Sequence, residues 1–144
     1  MIEPPMEELT LFAHSANNRC FGCGPANERG MHLNFLRSKD DKVICRTAVS
    51  DFYEGPPGYV HGGVIATLLD EAMSKAVRAQ GRIAMTRRLE VDYLRPVPSG
   101  TMIRIEGHIT QSEGRKHWVE ALIQNEANKT LATGKGLFIE VVQQ

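Results

Sequence analysis

The sequence is short of most features that would place it in a specialised class. It has only three cysteines in 144 residues, an odd number. That argues against a disulfide-stapled secreted scaffold and suits a reducing compartment. It has no charge of one sign in excess: 17 Lys and Arg face 17 Asp and Glu, for a net charge of zero. Dedicated nucleic-acid binders carry a basic excess, and polybasic membrane anchors do too, so neither partner is expected. No apolar run approaches the ~20 residues a membrane-spanning helix needs. Where a signal peptide would be basic and then apolar, the chain reads Glu3, Pro4, Pro5, Glu7, Glu8. What is present is the make-up of an ordinary globular protein, 42% hydrophobic and 24% charged, at a length that fits one domain. The expectation is a single cytoplasmic domain.

Residues 7–16 (EELTLFAHSA) read as a short helix. The stretch CFGCGPANERG, residues 20–30, is broken up by Gly22, Gly24, Pro25 and Gly30 and reads as loop. Residues 31–37 and 43–49 read as strands either side of a polar turn at 39–42, and 51–60 as loop. One long helix is expected over 63–79. Ile65, Leu68, Leu69, Ala72, Met73 and Ala76 recur there at three- and four-residue steps, and Gly81 follows where a helix would end. Beyond it the period changes to two: Leu89, Val91 and Tyr93 alternate with charged residues, as do Ile103 and Ile105, and then Val119, Ala121 and Ile123. Turns at 98–100, 113–114 and 125–129 are short enough to join antiparallel neighbours. A sheet with one apolar face must cover it, and the long helix is the only large apolar object on offer. The class is therefore α+β, an antiparallel β-sheet wrapped around one long central helix.

Chemistry concentrates in residues 58–74, GYVHGGVIATLLDEAMS. Glycines at a helix N-terminus leave backbone N–H groups bare, and the helix dipole adds about half a positive charge there. That combination suits a developing oxyanion. Asp70 lies eight residues after Gly62, or ~12 Å along the axis, so one helix cannot bring both groups to one substrate atom. Two copies packed antiparallel can, which points to a dimer.

The stretch HGGVIATLLDEAMSKA, with RRLEVDYLRPVPSGTMIRIEG at 87–107, resembles the hotdog-fold acyl-CoA thioesterases of the PaaI-like (4-hydroxybenzoyl-CoA thioesterase) superfamily. The likeness covers about residues 31–141. It implies a hotdog domain over 31–144, preceded by an extension over 1–30 made of the short helix and the Cys/Gly-rich loop. It implies hydrolysis of a CoA thioester, with Asp70 as nucleophile or general base and the Gly62 N–H polarising the thioester carbonyl. His61 would orient the loop and position substrate or water. Thr86, seven residues before Tyr93, would help hold the attacking water. Some members carry Asn or Gln where this chain has Gly55. Gly63, Arg95, Arg115 and Lys116 are candidates for holding substrate, the basic ones through the CoA phosphates. The expected assembly is a homodimer or a tetramer of two dimers. No cofactor is expected. Two rival readings remain open, a non-catalytic acyl-CoA-binding hotdog module and a hotdog dehydratase or hydratase. Cys20-x-x-Cys23 has metal-ligand spacing, but structural zinc normally takes four ligands. Cys45, His14 and His32 are the nearby additions and none repeats the spacing, so the pair is read as loop packing and no metal is expected.

Overall fold

The computed structural model describes residues 10–11 and 15–141. Seven strands and one long helix are found: β1 (Thr10–Leu11), β2 (Leu36–Arg37), β3 (Val43–Ala48), α1 (Gly62–Arg78), β4 (Ala84–Tyr93), β5 (Met102–Glu113), β6 (Lys116–Asn125) and β7 (Thr130–Glu140). The strands form one antiparallel sheet in the order β1-β2-β3-β5-β6-β7-β4. No helix among the described residues is long and apolar enough to cross a membrane.

The apolar stripe of α1 does what its spacing demands. Ile65, Leu68, Leu69, Ala72, Met73, Ala76 and Val77 are all buried against inward-facing residues of the sheet that include Val43, Cys45, Ile103, Ile105, Val119, Ile123 and Phe138. Burying a side chain of the size of Leu or Ile in this way contributes about 1.5–3 kcal/mol each. Gly107 on β5 allows the closest approach: a Cβ there would lie 2.6 Å from the Ala72 carbonyl oxygen. Helix backbone and sheet backbone therefore meet with no side chain between them. The helix ends as the sequence implies, with Gly81 in the left-handed region at φ 77°.

Three expectations are corrected. The segment 7–16, expected as helix, lies mostly outside the described residues; of the rest, Thr10–Leu11 is strand and pairs with Leu36–Arg37, and Ser15 and Ala16 are not helical. The strand expected over 31–37 shrinks to Leu36–Arg37. His32 adopts φ 51°, and the N–H groups of Met31 and Leu33 bond to the carbonyls of Phe21 and Gly22 rather than to a neighbouring strand. The turn at Pro98–Gly100 does not make a hairpin, because β4 and β5 never pair. The connection leaves β4, receives the Val60 N–H on Val97 O (2.8 Å), passes the helix N-terminus and returns the Gly100 N–H to Val49 O. Strand β4 instead pairs with β7 and forms one edge of the sheet.

Candidate active site

The chain enters α1 through a tightly held loop. The His61 N–H donates to Tyr53 O (2.8 Å) and the Gly55 N–H to Tyr59 O (3.0 Å). His61 caps the helix: its backbone is extended (φ −59°, ψ 139°), and its Nδ1 accepts the Gly63 N–H at 2.9 Å. A neutral ring that accepts at Nδ1 carries its proton on Nε2. Gly55 packs straight onto this histidine, since a Cβ at 55 would sit 3.3 Å from His61 Cα. A side chain there would need the capping residue to give by a few tenths of an ångström.

Gly62 and Gly63 thus have different fates. The Gly63 N–H is spent on the His61 ring, whereas the Gly62 N–H has no acceptor among the described residues. It is one of the donors a helix start always leaves over, and the dipole points its positive end there. Space does not demand glycine at 62: an added Cβ would make ordinary contact with the Tyr93 ring at 3.6 Å. Without a Cβ, the residue puts no side chain of its own beside that N–H. The Gly62 carbonyl is also pinned, accepting the Tyr93 hydroxyl at 2.8 Å.

Two turns along the same helix, half-buried Asp70 meets Thr86 on β4: the Thr86 hydroxyl donates to Asp70 Oδ1 at 2.6 Å. Strict alternation would forbid this arrangement. Thr86 and Tyr93 are seven residues apart, so a regular strand would send them to opposite faces. A register shift between Thr86 and Arg88 inserts an extra residue, and such a bulge reverses the alternation beyond it. Both side chains consequently reach α1, Tyr93 at its first turn and Thr86 at Asp70. Thr86 holds Oδ1, and Oδ2 has no partner among the described residues.

The basic residues named as substrate holders do not gather in one place. Arg95 Nη1 donates to Thr130 O (3.0 Å), at the start of β7. Arg115 Nη2 donates to Glu140 O (2.7 Å), at its other end, beside Lys116 at the start of β6. The length of β7, about 33 Å for its ten steps, separates them. Within one chain the helix N-terminus, Tyr93 and Arg95 share one end, and Asp70, Thr86, Arg115 and Lys116 lie toward the other.

Sequence reasoning left two groups unassigned. Tyr93 could have been picked out only by its pairing with the Gly62 carbonyl, which the sequence does not show. Glu71 follows Asp70 but lies a hundred degrees further round the helix, and its Oε1 accepts from Cys20 Sγ at 3.4 Å. The Cys20-x-x-Cys23 loop therefore rests on the central helix. Burial, reinforced by the Glu71 charge, pushes the Cys23 thiol up to about 12, so it is not a nucleophile near neutral pH.

Comparison with known proteins places this geometry. The 4HBT family model, described as the thioesterase superfamily, matches residues 57–132, a span running from the loop before α1 into β7. Acyl-coenzyme A thioesterase THEM4 of Rattus norvegicus is 33% identical over 108 residues, 74% of this chain and 46% of that protein. The chain thus spans about half the length of that curated relative. Among solved structures, the thioesterase superfamily protein RHA08564 superposes with a TM-score of 0.80 at 30% identity, over 85% of this chain and 63% of that one. The BH2602 protein from Bacillus halodurans, solved with CoA, superposes with a TM-score of 0.67 at 29% identity, over 76% of this chain and 74% of that one. The helix-wrapping sheet is the hotdog fold, and the chain belongs to the thioesterase superfamily.

Proposed function

We propose that the chain hydrolyses acyl-CoA thioesters to a free acid and CoA, in a site completed by two copies of itself. The observation that carries the reading is the pair of half-sites on one helix: a Gly62 N–H with no acceptor among the described residues at its start, and a Thr86-anchored Asp70 carboxylate two turns on. Eight residues of α1 hold them ~12 Å apart along the axis, too far for one carbonyl group.

Strand β4 supports the way two copies would meet. It is a ten-residue edge strand with large apolar side chains in the open, Met85 64% and Tyr93 54% exposed. An edge of that kind calls for a partner. Antiparallel pairing of β4 with β4 of a second copy sets Thr86 of one opposite Tyr93 of the other, with the two-fold axis close to Leu89 and Glu90. Asp70 of one copy then approaches Gly62 of the other, twice per dimer. The same rotation carries Arg95 of one copy toward the Asp70 end of its neighbour, as a phosphate-bearing substrate requires.

In the reaction, the thioester carbonyl accepts the Gly62 N–H at the positive end of the helix. Asp70 Oδ2 takes a proton from water as the hydroxyl adds to the carbonyl carbon, while Thr86 holds Oδ1 in place. The negative charge that develops on the oxygen is met by the N–H group. Collapse reforms the carbonyl, breaks the C–S bond and expels the CoA thiolate, which takes up the proton. Direct attack by Asp70 uses the same placement and forms a mixed anhydride that water then opens. Neither route needs a cofactor.

The test is free-thiol release from a panel of aryl, short-chain and medium-chain acyl-CoA esters, with Asp70→Asn alongside. Asn keeps the shape and the acceptor for Thr86 but not the charge. We expect at least one ester to be turned over and the variant to lose about 10²–10⁴-fold. Equal turnover by the variant would remove Asp70 from the chemistry. No turnover of any ester, with the chain still binding CoA, would favour an acyl-CoA-binding module.

A further inference from the structure

The Cys20-x-x-Cys23 loop acquires in three dimensions the ligand its sequence lacks. Glu71 projects from the face of α1 that the loop covers, and one ligand atom from each of Cys20, Cys23 and Glu71 lies within 4.8 Å of the others. The contact is close. A Cβ on Gly22, between the two cysteines, would fall 2.3 Å from Glu71 Cδ, so a side chain there would displace the Glu71 carboxylate from the loop. The loop is also shaped from within: the Gly24 N–H closes a turn on Cys20 O (2.8 Å), and the Cys20 N–H is held by Asn18 Oδ1 (2.9 Å). We propose that Cys20, Cys23 and Glu71 bind one thiophilic divalent cation, Zn2+ by the chemistry of the donors, with three protein ligands and a fourth position for water.

Donor type, spacing and charge agree on this. Two sulfurs with one carboxylate oxygen select zinc-like metals over Mg2+ or Ca2+, which take oxygen ligands. Tetrahedral donors about 2.0–2.3 Å from zinc lie about 3.3–3.8 Å from one another. The Cys20–Glu71 separation of 3.4 Å is already in that range, and the cluster closes with movements of about 1 Å. Two thiolates and a carboxylate bring three negative charges. The dication offsets two, and the Lys75 ammonium, close enough for its charge to act on Cys23, offsets the third. The site lies about a hundred degrees round α1 from the Thr86 contact, and a metal there would tie residues 20–24 to the central helix. It stands whether or not the chain is a hydrolase.

The experiment is metal binding by the full chain, reduced and stripped with a chelator, then titrated with Zn2+ or Co2+. We expect one metal per chain by elemental analysis and, for Co2+, a thiolate-to-metal charge-transfer band. Cys20→Ser and Cys23→Ser should lose both. Glu71→Gln should keep the folded circular dichroism spectrum and weaken Zn2+ binding by about tenfold or more. Cys45→Ala, a buried cysteine outside the cluster, should leave the stoichiometry at one. Three results overturn the proposal: a reduced wild-type chain that takes up no metal, a cobalt spectrum without sulfur ligation, or undiminished binding in the Cys20 and Cys23 variants. A Cys20–Cys23 disulfide in air, from a chain that binds no metal when reduced, would replace it with a redox role.

Discussion

If each site takes its carboxylate from one chain and its N–H from the other, two inactive variants must rescue one another. The first variant is Asp70→Asn. It leaves the Thr86 hydrogen bond an acceptor and removes the carboxylate charge, for an expected loss of about 10²–10⁴-fold, or about 3–5 kcal/mol of barrier. The second is Gly62→Pro, which deletes the N–H and little else. Position 62 is the first of the helix, where proline is best tolerated, and among the described residues its N–H makes no hydrogen bond that would be lost. His61, at φ −59° and ψ 139°, already has the conformation that a residue before proline prefers. The added Cβ meets the Tyr93 ring at 3.6 Å, a normal contact. Loss of one oxyanion donor costs about 10²–10³-fold, so each homodimer should run at about 1% of wild type or less. The heterodimer, isolated through a different affinity tag on each chain, has one site carrying both lesions and one carrying neither. It should recover about half of the wild-type rate per dimer. Circular dichroism and sedimentation of all three species guard against misfolding. A tagged heterodimer as inactive as its parents would refute the shared site, because a site built within one chain carries a lesion in every copy.

Two further outcomes follow from contacts already described. Thr86→Ala frees Asp70 Oδ1 and should lower kcat by about tenfold, the scale of one charge-assisted hydrogen bond at an open position. In the Asp70→Asn background the same change should do almost nothing, and independent, multiplying losses in a double-mutant cycle would show that Thr86 does not act through Asp70. Gly107→Ala should destabilise the fold by about 1–3 kcal/mol, lowering Tm by several degrees in a thermal melt. Its Cβ would be driven to 2.6 Å from the Ala72 backbone oxygen, which cannot rotate away. Gly134→Ala, whose Cβ would meet side-chain atoms only, Met73 Cε at 3.2 Å and Leu69 Cβ at 3.3 Å, should cost less, and equal losses at the two sites would show that backbone approach is not what sets them apart.

What could be read in advance follows the range of each signal. The buried face of α1 was legible because a 3.6-residue period is local, and all six apolar positions it named are buried. Val119, Ala121 and Ile123 on β6 were legible for the same reason at period two. Strand order was not, because alternation says which face a residue takes and nothing about which strand lies alongside. The short link 94–101 looked like a hairpin by length, yet Val60 and Val49 take hold of its backbone, and β4 is left to pair with β7. Near Met31 the period failed because His32 turns left-handed and the Cys/Gly loop captures the backbone. A contact fifty residues distant in sequence, such as Cys20 with Glu71, leaves no local trace at all.

The acidic pair on α1 shows how position alone can separate two residues of one chemical type. Asp70 and Glu71 carry the same charge in the same apolar stretch, and only position separates them. On a helix, one residue is a rotation of a hundred degrees, so the two carboxylates cannot serve one neighbour. Asp70 turns to β4, and there the bulge after Thr86 completes the arrangement: without the extra residue, Thr86 would join the outward face with Arg88, Glu90 and Asp92. Glu71 turns to the N-terminal loop and meets sulfur. Two adjacent carboxylates thereby acquire different neighbours from different sides of one helix. Exchanging their identities would alter neither composition nor helical propensity by much, but it would misplace each reach by one methylene. That sensitivity is the physical content of the fixed interval between the glycines and the acid: eight residues bring the carboxylate to the strand-facing side of α1, and nine bring it to the loop.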